Sequence, residues 1–303
     1  MLPVHTRVGS RPRRLVERRP FTVVTEPFYV QKLRVLGDRQ CHNTAKLPTE
    51  IMISQSGRTA FSLAQLKSST LRSLHTSRLA RGEINVLGKR LNYEEVGSGD
   101  QVLLCLPGAL GTIKSDFGPQ LKNLPSKHLR LVAWDPPGYG KSRPPNRDFN
   151  FDSLRTDATI AAVMMKNLGY KKYSLLGWSD GGITAMLLAA GFPQHVEKMV
   201  IFGANAYVTK EETEICKDLR DVDNWSPKMR TPLEAIYGRD YFKSAWESWV
   251  DTYIGIYCER GGDLCKSDLP NIVCPTLIVH GLQDPVVPIE HPYYLHENIQ
   301  GSE

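Results

Sequence analysis

No apolar run in this chain of 303 residues reaches the ~18 needed to cross a bilayer as a helix. Cysteine is sparse as well. Cys41, Cys105, Cys216, Cys258, Cys265 and Cys274 include no Cys-x-x-Cys pair and have no histidine at zinc-site spacing, which argues against a structural metal centre. Free thiols in a reducing compartment fit that usage, and Cys105 and Cys274, within or beside apolar strands, read as small buried hydrophobes. Internal repeats are absent. Acidic residues are missing from one stretch, Ile51 to Gly82. The net charge of +6 is concentrated at the start: residues 1–80 hold 14 Lys/Arg against 4 Asp/Glu, and the remainder 24 against 28. The foldable part is therefore mildly acidic, so a pI of 8.9 is not a nucleic-acid signal.

What is present divides the chain into three. Residues 1–50 are Arg- and Pro-rich without a sustained apolar period, and are expected to be a disordered basic extension. Residues 51–82 place Arg58, Lys67, Arg72, Arg78 and Arg81 among Ser, Thr, Ala and Leu, with Phe61, Leu63, Leu66, Leu71 and Leu74 available for one helix face. An acid-free, Arg- and Ser-rich amphipathic segment has the signature of a mitochondrial transit peptide, which implies a mitochondrial location and Met52 as the start of translation. Residues 83–303 read as the folded domain.

In that domain, short apolar runs alternate with helical periods. Ile84–Tyr93 reads as a hairpin around Gly88-Lys89. Val102–Leu106, Leu131–Asp135, Lys172–Leu176, Lys198–Phe202 and Pro275–Val279 read as buried strands. Leu154, Ala158, Ala161, Met165 and Leu168 share a helix face, with Asp152 as N-cap and Gly169 as stop. This alternation predicts an α/β fold: a mainly parallel sheet with helices on both faces. Residues 205–268 break the rhythm with Trp225, Tyr237, Tyr241, Phe242, Trp246, Trp249, Tyr253 and Tyr257. They are expected to form a helical cap over the C-terminal strand ends, its aromatics mainly serving helix packing.

The chemistry centres on Gly177-Trp178-Ser179-Asp180-Gly181-Gly182, between a strand and a helix. Gly-x-Ser-x-Gly in that context is a nucleophile elbow, whose glycines let neighbouring backbone approach a serine held on a tight turn. Ser179 is the candidate nucleophile. Asp284, after the last apolar strand, is the candidate acid, and the order serine, acid, histidine is that of α/β-hydrolases. Oxyanion donors are expected at the backbone amides of Asp180 and Ala109, with Leu110 the second choice in its loop. The Asp180 side chain has two readings: an anchor for a substrate ammonium, or a cap for the following helix. His280, His291 and His296 are poorly placed as a base, because in this fold the base follows a further strand.

Leu106-Pro107-Gly108, Asp116–Leu121, Ala133-Trp134-Asp135-Pro136, Ser142-Arg143-Pro144-Pro145, the elbow itself, Gly203–Val208 and Val279-His280-Gly281-x-x-Asp284-Pro285 together make a specific set. From about Glu83 onward the chain resembles the valacyclovir hydrolase, or biphenyl hydrolase-like, family. The resemblance implies an α/β-hydrolase fold and hydrolysis of α-amino acid esters, prodrug esters included, through an acyl-enzyme. It implies Ser179 as nucleophile, Asp284 as charge-relay acid and Asp180 as the α-amino anchor. No cofactor or metal is implied. The implied partner is a small-molecule ester with a free α-amino group, with no nucleic acid or membrane partner and a monomeric chain. The family pattern places a last strand, a catalytic histidine and a last helix after position 303, so a truncated, weakly active chain with an exposed sheet edge is expected. The alternatives are an inactive isoform that keeps the ligand pocket, or a carbon–carbon hydrolase of the meta-cleavage type.

Overall fold

The computed structural model describes residues 80–125 and 127–303. The basic extension and the transit-like segment up to residue 79 lie outside them. The chain opens with an antiparallel hairpin, β1 (Ala80–Val86) and β2 (Lys89–Val96). Its two-residue turn is Leu87-Gly88, one position earlier than expected, with φ of 51° and 78°. Both central residues of such a turn need positive φ, and Gly88 supplies one without strain. β1 begins three residues before Glu83 because its pairing runs out to Ala80 opposite Glu95.

Five strands complete the sheet: β3 (Gln101–Leu106), β4 (Leu129–Trp134), β5 (Tyr173–Trp178), β6 (Val196–Phe202) and β7 (Thr276–Val279). The order is β1-β2-β4-β3-β5-β6-β7, antiparallel as far as the β2–β4 pair and parallel beyond it. Alternation along β3 and β4 sorts their side chains to two faces. Leu104, Leu106, Val132 and Trp134 pack beneath α2 (Ser153–Asn167) and α3 (Asp180–Gly191), while Cys105, Leu131 and Ala133 pack against Ile113, Phe117 and Leu121 of α1 (Ile113–Asn123). Helices therefore cover both faces, as expected.

α2 begins where the sequence period places it, but Asp152 occupies the N-cap without a capping hydrogen bond. Its carboxylate pairs instead with Arg260, at 2.7 Å, because an arginine fork competes for the same oxygens. β7 is the edge of the sheet, as expected, but its backbone is partly covered. The Glu303 amide donates to the Thr276 carbonyl at 2.9 Å and the Ile278 amide to the Glu303 carbonyl at 2.9 Å. Open strand edges recruit whatever backbone is near.

The cap is α4 (Lys210–Leu219), α5 (Pro227–Tyr237) and α6 (Arg239–Arg260) with two 3₁₀ turns. Two tyrosines tie it to the loops beyond the C-terminal ends of β3 and β4. The Tyr237 hydroxyl donates to the Leu110 carbonyl at 2.9 Å and accepts from the Gly140 amide at 3.2 Å. The Tyr241 hydroxyl donates to the Gly138 carbonyl at 2.9 Å. From α7 (Glu290–Asn298), buried His291 meets Glu212 of α4 at 3.0 Å, which fixes the far side of the cap.

One buried carboxylate closes the loop layer. Asp135, at the end of β4, accepts from the Ile113 amide (2.8 Å), the Lys141 amide (2.9 Å) and the Asn92 side chain (2.8 Å). Asp135→Ala would strand these donors, at ~1–3 kcal/mol for each buried unsatisfied group. We expect a loss of about 3 kcal/mol or more in urea unfolding; a loss below 1 kcal/mol would show that water replaces the carboxylate.

Candidate active site

The elbow is built by close approach. A Cβ on Gly181 would lie 1.9 Å from the Leu106 carbonyl oxygen, and one on Gly177 would lie 2.4 Å from the Gly181 carbonyl oxygen. Only glycine lets α3 begin this tightly against the ends of β3 and β5. Ser179 is held at φ 54° and ψ −124°, a conformation non-glycine residues rarely adopt. It stands at the N-cap position of α3 but makes no capping hydrogen bond, so its hydroxyl is not spent on the helix. The helix terminus behind it favours negative charge developing at the serine.

Across from it runs the loop after β3. The Asp116 carboxylate takes the Gly108 amide at 3.0 Å, and the Gly111 amide closes a turn onto the Gly108 carbonyl at 2.9 Å. A Cβ on Gly108 would lie 3.2 Å from Ser179 Cβ, so this loop is pressed onto Ser179. Ala109 is half-buried and Leu110 buried, and neither amide has a backbone acceptor among the described residues.

Asp180 is almost fully buried, at 4% exposure. It does not cap α3 with its side chain: Oδ2 accepts from Trp249 Nε1 at 2.7 Å, and Oδ1 from the Tyr253 hydroxyl at 3.4 Å. Burial pushes its carboxyl up to about 6, against the pull of Trp249, Arg147 and Tyr253. Arg147 itself is engaged elsewhere, bound to buried Asp157 at 2.6 Å. Among the described residues, Asp180 has no cation within ion-pair distance. Asp180 lies on the wall of a cavity of about 290 Å³ between residues 147–155 and α6, lined also by Phe149, Phe151, Leu187, Trp249 and Tyr253. Ser179 is not on that wall.

Asp284 stands beyond β7, where Oδ1 accepts from the Val286 and Val287 amides, each at 3.0 Å. The carboxylate thus also supports its own turn. β5 and β7 are separated by β6, about 10 Å at ordinary strand spacing. Among the described residues none hydrogen-bonds to the Ser179 hydroxyl: His280 Nε2 faces the Val287 carbonyl at 3.0 Å, His291 faces Glu212, and His296 Nδ1 lies 3.1 Å from the Ser302 hydroxyl. Burial also holds His280 below the usual imidazole range, against the pull of Asp284.

The structure therefore brings Ser179, Asp180 and Ala109 together and leaves Asp284 two strands away. Sequence reasoning missed Tyr139, Arg147 and Asp157, and assigned Trp249 and Tyr253 to helix packing. The one available signal was that spacing of four residues, which aims both side chains the same way from a helix.

Comparison with known proteins places this geometry. The profile of the alpha/beta hydrolase fold matches residues 101–231. Human serine hydrolase BPHL is 51% identical over 220 residues, 73% of this chain and 76% of that protein. A 2-hydroxy-6-oxononadienedioate/2-hydroxy-6-oxononatrienedioate hydrolase of Pseudomonas sp is 27% identical over 239 residues, 70% of this chain and 80% of that protein. The solved structure of MGS-M2, an alpha/beta hydrolase enzyme from a Medee basin deep-sea metagenome library, superposes with a TM-score of 0.61 at 20% identity, covering 73% of this chain and 87% of that one.

The Asp180 environment makes a linkage prediction. A carboxyl raised to about 6 in the fold and ordinary when unfolded costs nothing when protonated at low pH. The cost appears as pH rises through the ordinary range and is complete above about 6, on the order of 3 kcal/mol. Asp180→Asn removes it, so thermal melts should show the variant gaining on the wild type between pH 4.5 and 8. A difference independent of pH would mean that the carboxylate is not destabilised by burial.

Proposed function

The chain belongs to the α/β-hydrolase family, beside the serine hydrolase BPHL, and from that premise we propose that it hydrolyses esters of α-amino acids at Ser179. The hydroxyl oxygen attacks the ester carbonyl, the amides of Asp180 and Ala109 hold the oxyanion, and the alcohol leaves. Water then cleaves the acyl-enzyme. Asp180 pairs with the substrate's α-ammonium group. One observation carries this reading: a buried carboxylate adjoining the nucleophile, without a cationic partner among the described residues, on the wall of an aromatic cavity. An ammonium 4 Å away gains ~4 kcal/mol at an effective dielectric of 20, and an anion loses as much. The acid-free segment 51–82 supports a mitochondrial location.

A histidine oriented by Asp284 would serve as base. No described histidine hydrogen-bonds to Ser179; binding and the oxyanion amides alone leave ~10³–10⁴ over water, so the base sets the rate. The Pseudomonas relative gives some weight to a second reading, carbon–carbon hydrolysis of a dienedioate. Asp180 opposes it by charge.

Three esters separate these readings: L-phenylalanine ethyl ester, ethyl 3-phenylpropanoate and monoethyl benzylmalonate, which are cationic, neutral and anionic. We expect kcat/KM to favour the cationic ester at least tenfold, with the preference lost in Asp180→Asn. Equal rates, or preference for the anion, would sink the proposal. Fluorophosphonate labelling that disappears in Ser179→Ala is expected alongside; no labelling would identify a ligand-binding protein without an activated serine.

A further inference from the structure

The Asp180 carboxylate is held from across the domain. Trp249 and Tyr253 lie four residues apart on α6, and both aim hydrogen-bond donors at it, to Oδ2 at 2.7 Å and Oδ1 at 3.4 Å. The two rings pack on each other at 4.4 Å, and Trp246 stacks on Trp249 at 4.8 Å. Trp246 and Trp225 each donate an indole N–H to the Leu219 carbonyl, at 2.8 and 2.9 Å, which anchors this aromatic column at the end of α4. The column spans the cap and ends on the residue beside the nucleophile.

We propose that Trp249 and Tyr253 are positioning residues, which aim and keep charged the carboxylate that selects an ammonium group, and so make that selection conditional on a docked cap. The ammonium ligand rests on the function proposed above; the role of the two donors does not. An ionised carboxylate has about four acceptor sites, and two donors leave room for an ammonium. Indole offers only a donor, and burial keeps Tyr253 protonated, so both favour the anion at any moderate pH. The other ionisable groups bearing on Asp180 are Arg147 before α2, Asp157 on α2, Tyr139 beyond β4 and Cys216 on α4. Of these, Arg147 alone also favours the anion, and its fork is committed to Asp157.

The test follows the carboxyl directly, in the full chain. Protein labelled with ¹³C at aspartate carboxyls is titrated from pH 4 to 8, the Asp180 signal being identified by its loss in Asp180→Asn. Its midpoint in the wild type should lie at about 6. Trp249→Phe keeps the ring and loses the N–H, and should move that midpoint up by about one unit, the usual effect of losing a hydrogen bond to the charged form. Tyr253→Phe should move it the same way by less, and decides the matter should Trp249→Phe fail to fold. A midpoint unmoved in a folded variant overturns the proposal, because a side chain that merely packs would leave the titration unchanged. Calorimetry with L-phenylalaninol, an amine with no ester to cleave, is run in parallel. Its affinity at pH 6.5 should fall about threefold in Trp249→Phe and recover above pH 8, as expected from a one-unit shift. Equal binding by wild type and Asp180→Asn would overturn the amino-ester reading while the carboxyl titration still decides the role of the two donors.

Discussion

The site depends on backbone meeting backbone where α3 begins. Gly181 sits so close under the end of β3 that even a methyl group there would overlap the Leu106 carbonyl oxygen. Everything chemical inherits its place from that contact. It fixes the turn that strains Ser179 outward, sets the first amides of α3 beside the serine, and presses the Gly108 loop against it. The residue that follows the serine reaches the cap: the Asp180 carboxylate meets Trp249 of α6.

A buried carboxylate is costly, and the cap is arranged around that cost. Desolvation works against the anion; two donors from α6 and the field of Arg147 work for it. The balance leaves Asp180 poised near neutrality instead of locked in either state. Functional sites are where such unfavourable placements are kept, since a group fully satisfied within the protein has little left to offer a ligand. Arg147 and Asp157 show the contrast: their mutual ion pair is nearly inaccessible and closes on itself.

The fold was legible from period and punctuation. Alternating apolar residues in β3 and β4 divided between the two faces as a period of two requires, and the helix read from Leu154 to Leu168 formed as α2. The elbow turn was legible too, since Gly177, Ser179 and Gly181 act within five residues of each other. Asp152 was half legible: its place at the N-cap follows from local pattern, but its carboxylate went to Arg260, more than a hundred residues away. The aromatics of the cap were seen as packing because composition cannot say which of the rings turns inward.

By itself the sequence determined what short range can determine: strands, helices, the elbow and the resemblance of its motifs. Those depend on residues within a turn or two, where backbone geometry follows from local chemistry. Tertiary structure alone decided where the Asp180 side chain points, that Trp249 and Tyr253 grip it across about seventy residues of chain, that Asp284 stands two strands from Ser179, and that Glu303 pairs with β7. Burial and charge at a point in space are sums over whatever the fold brings there, and no stretch of sequence holds that sum.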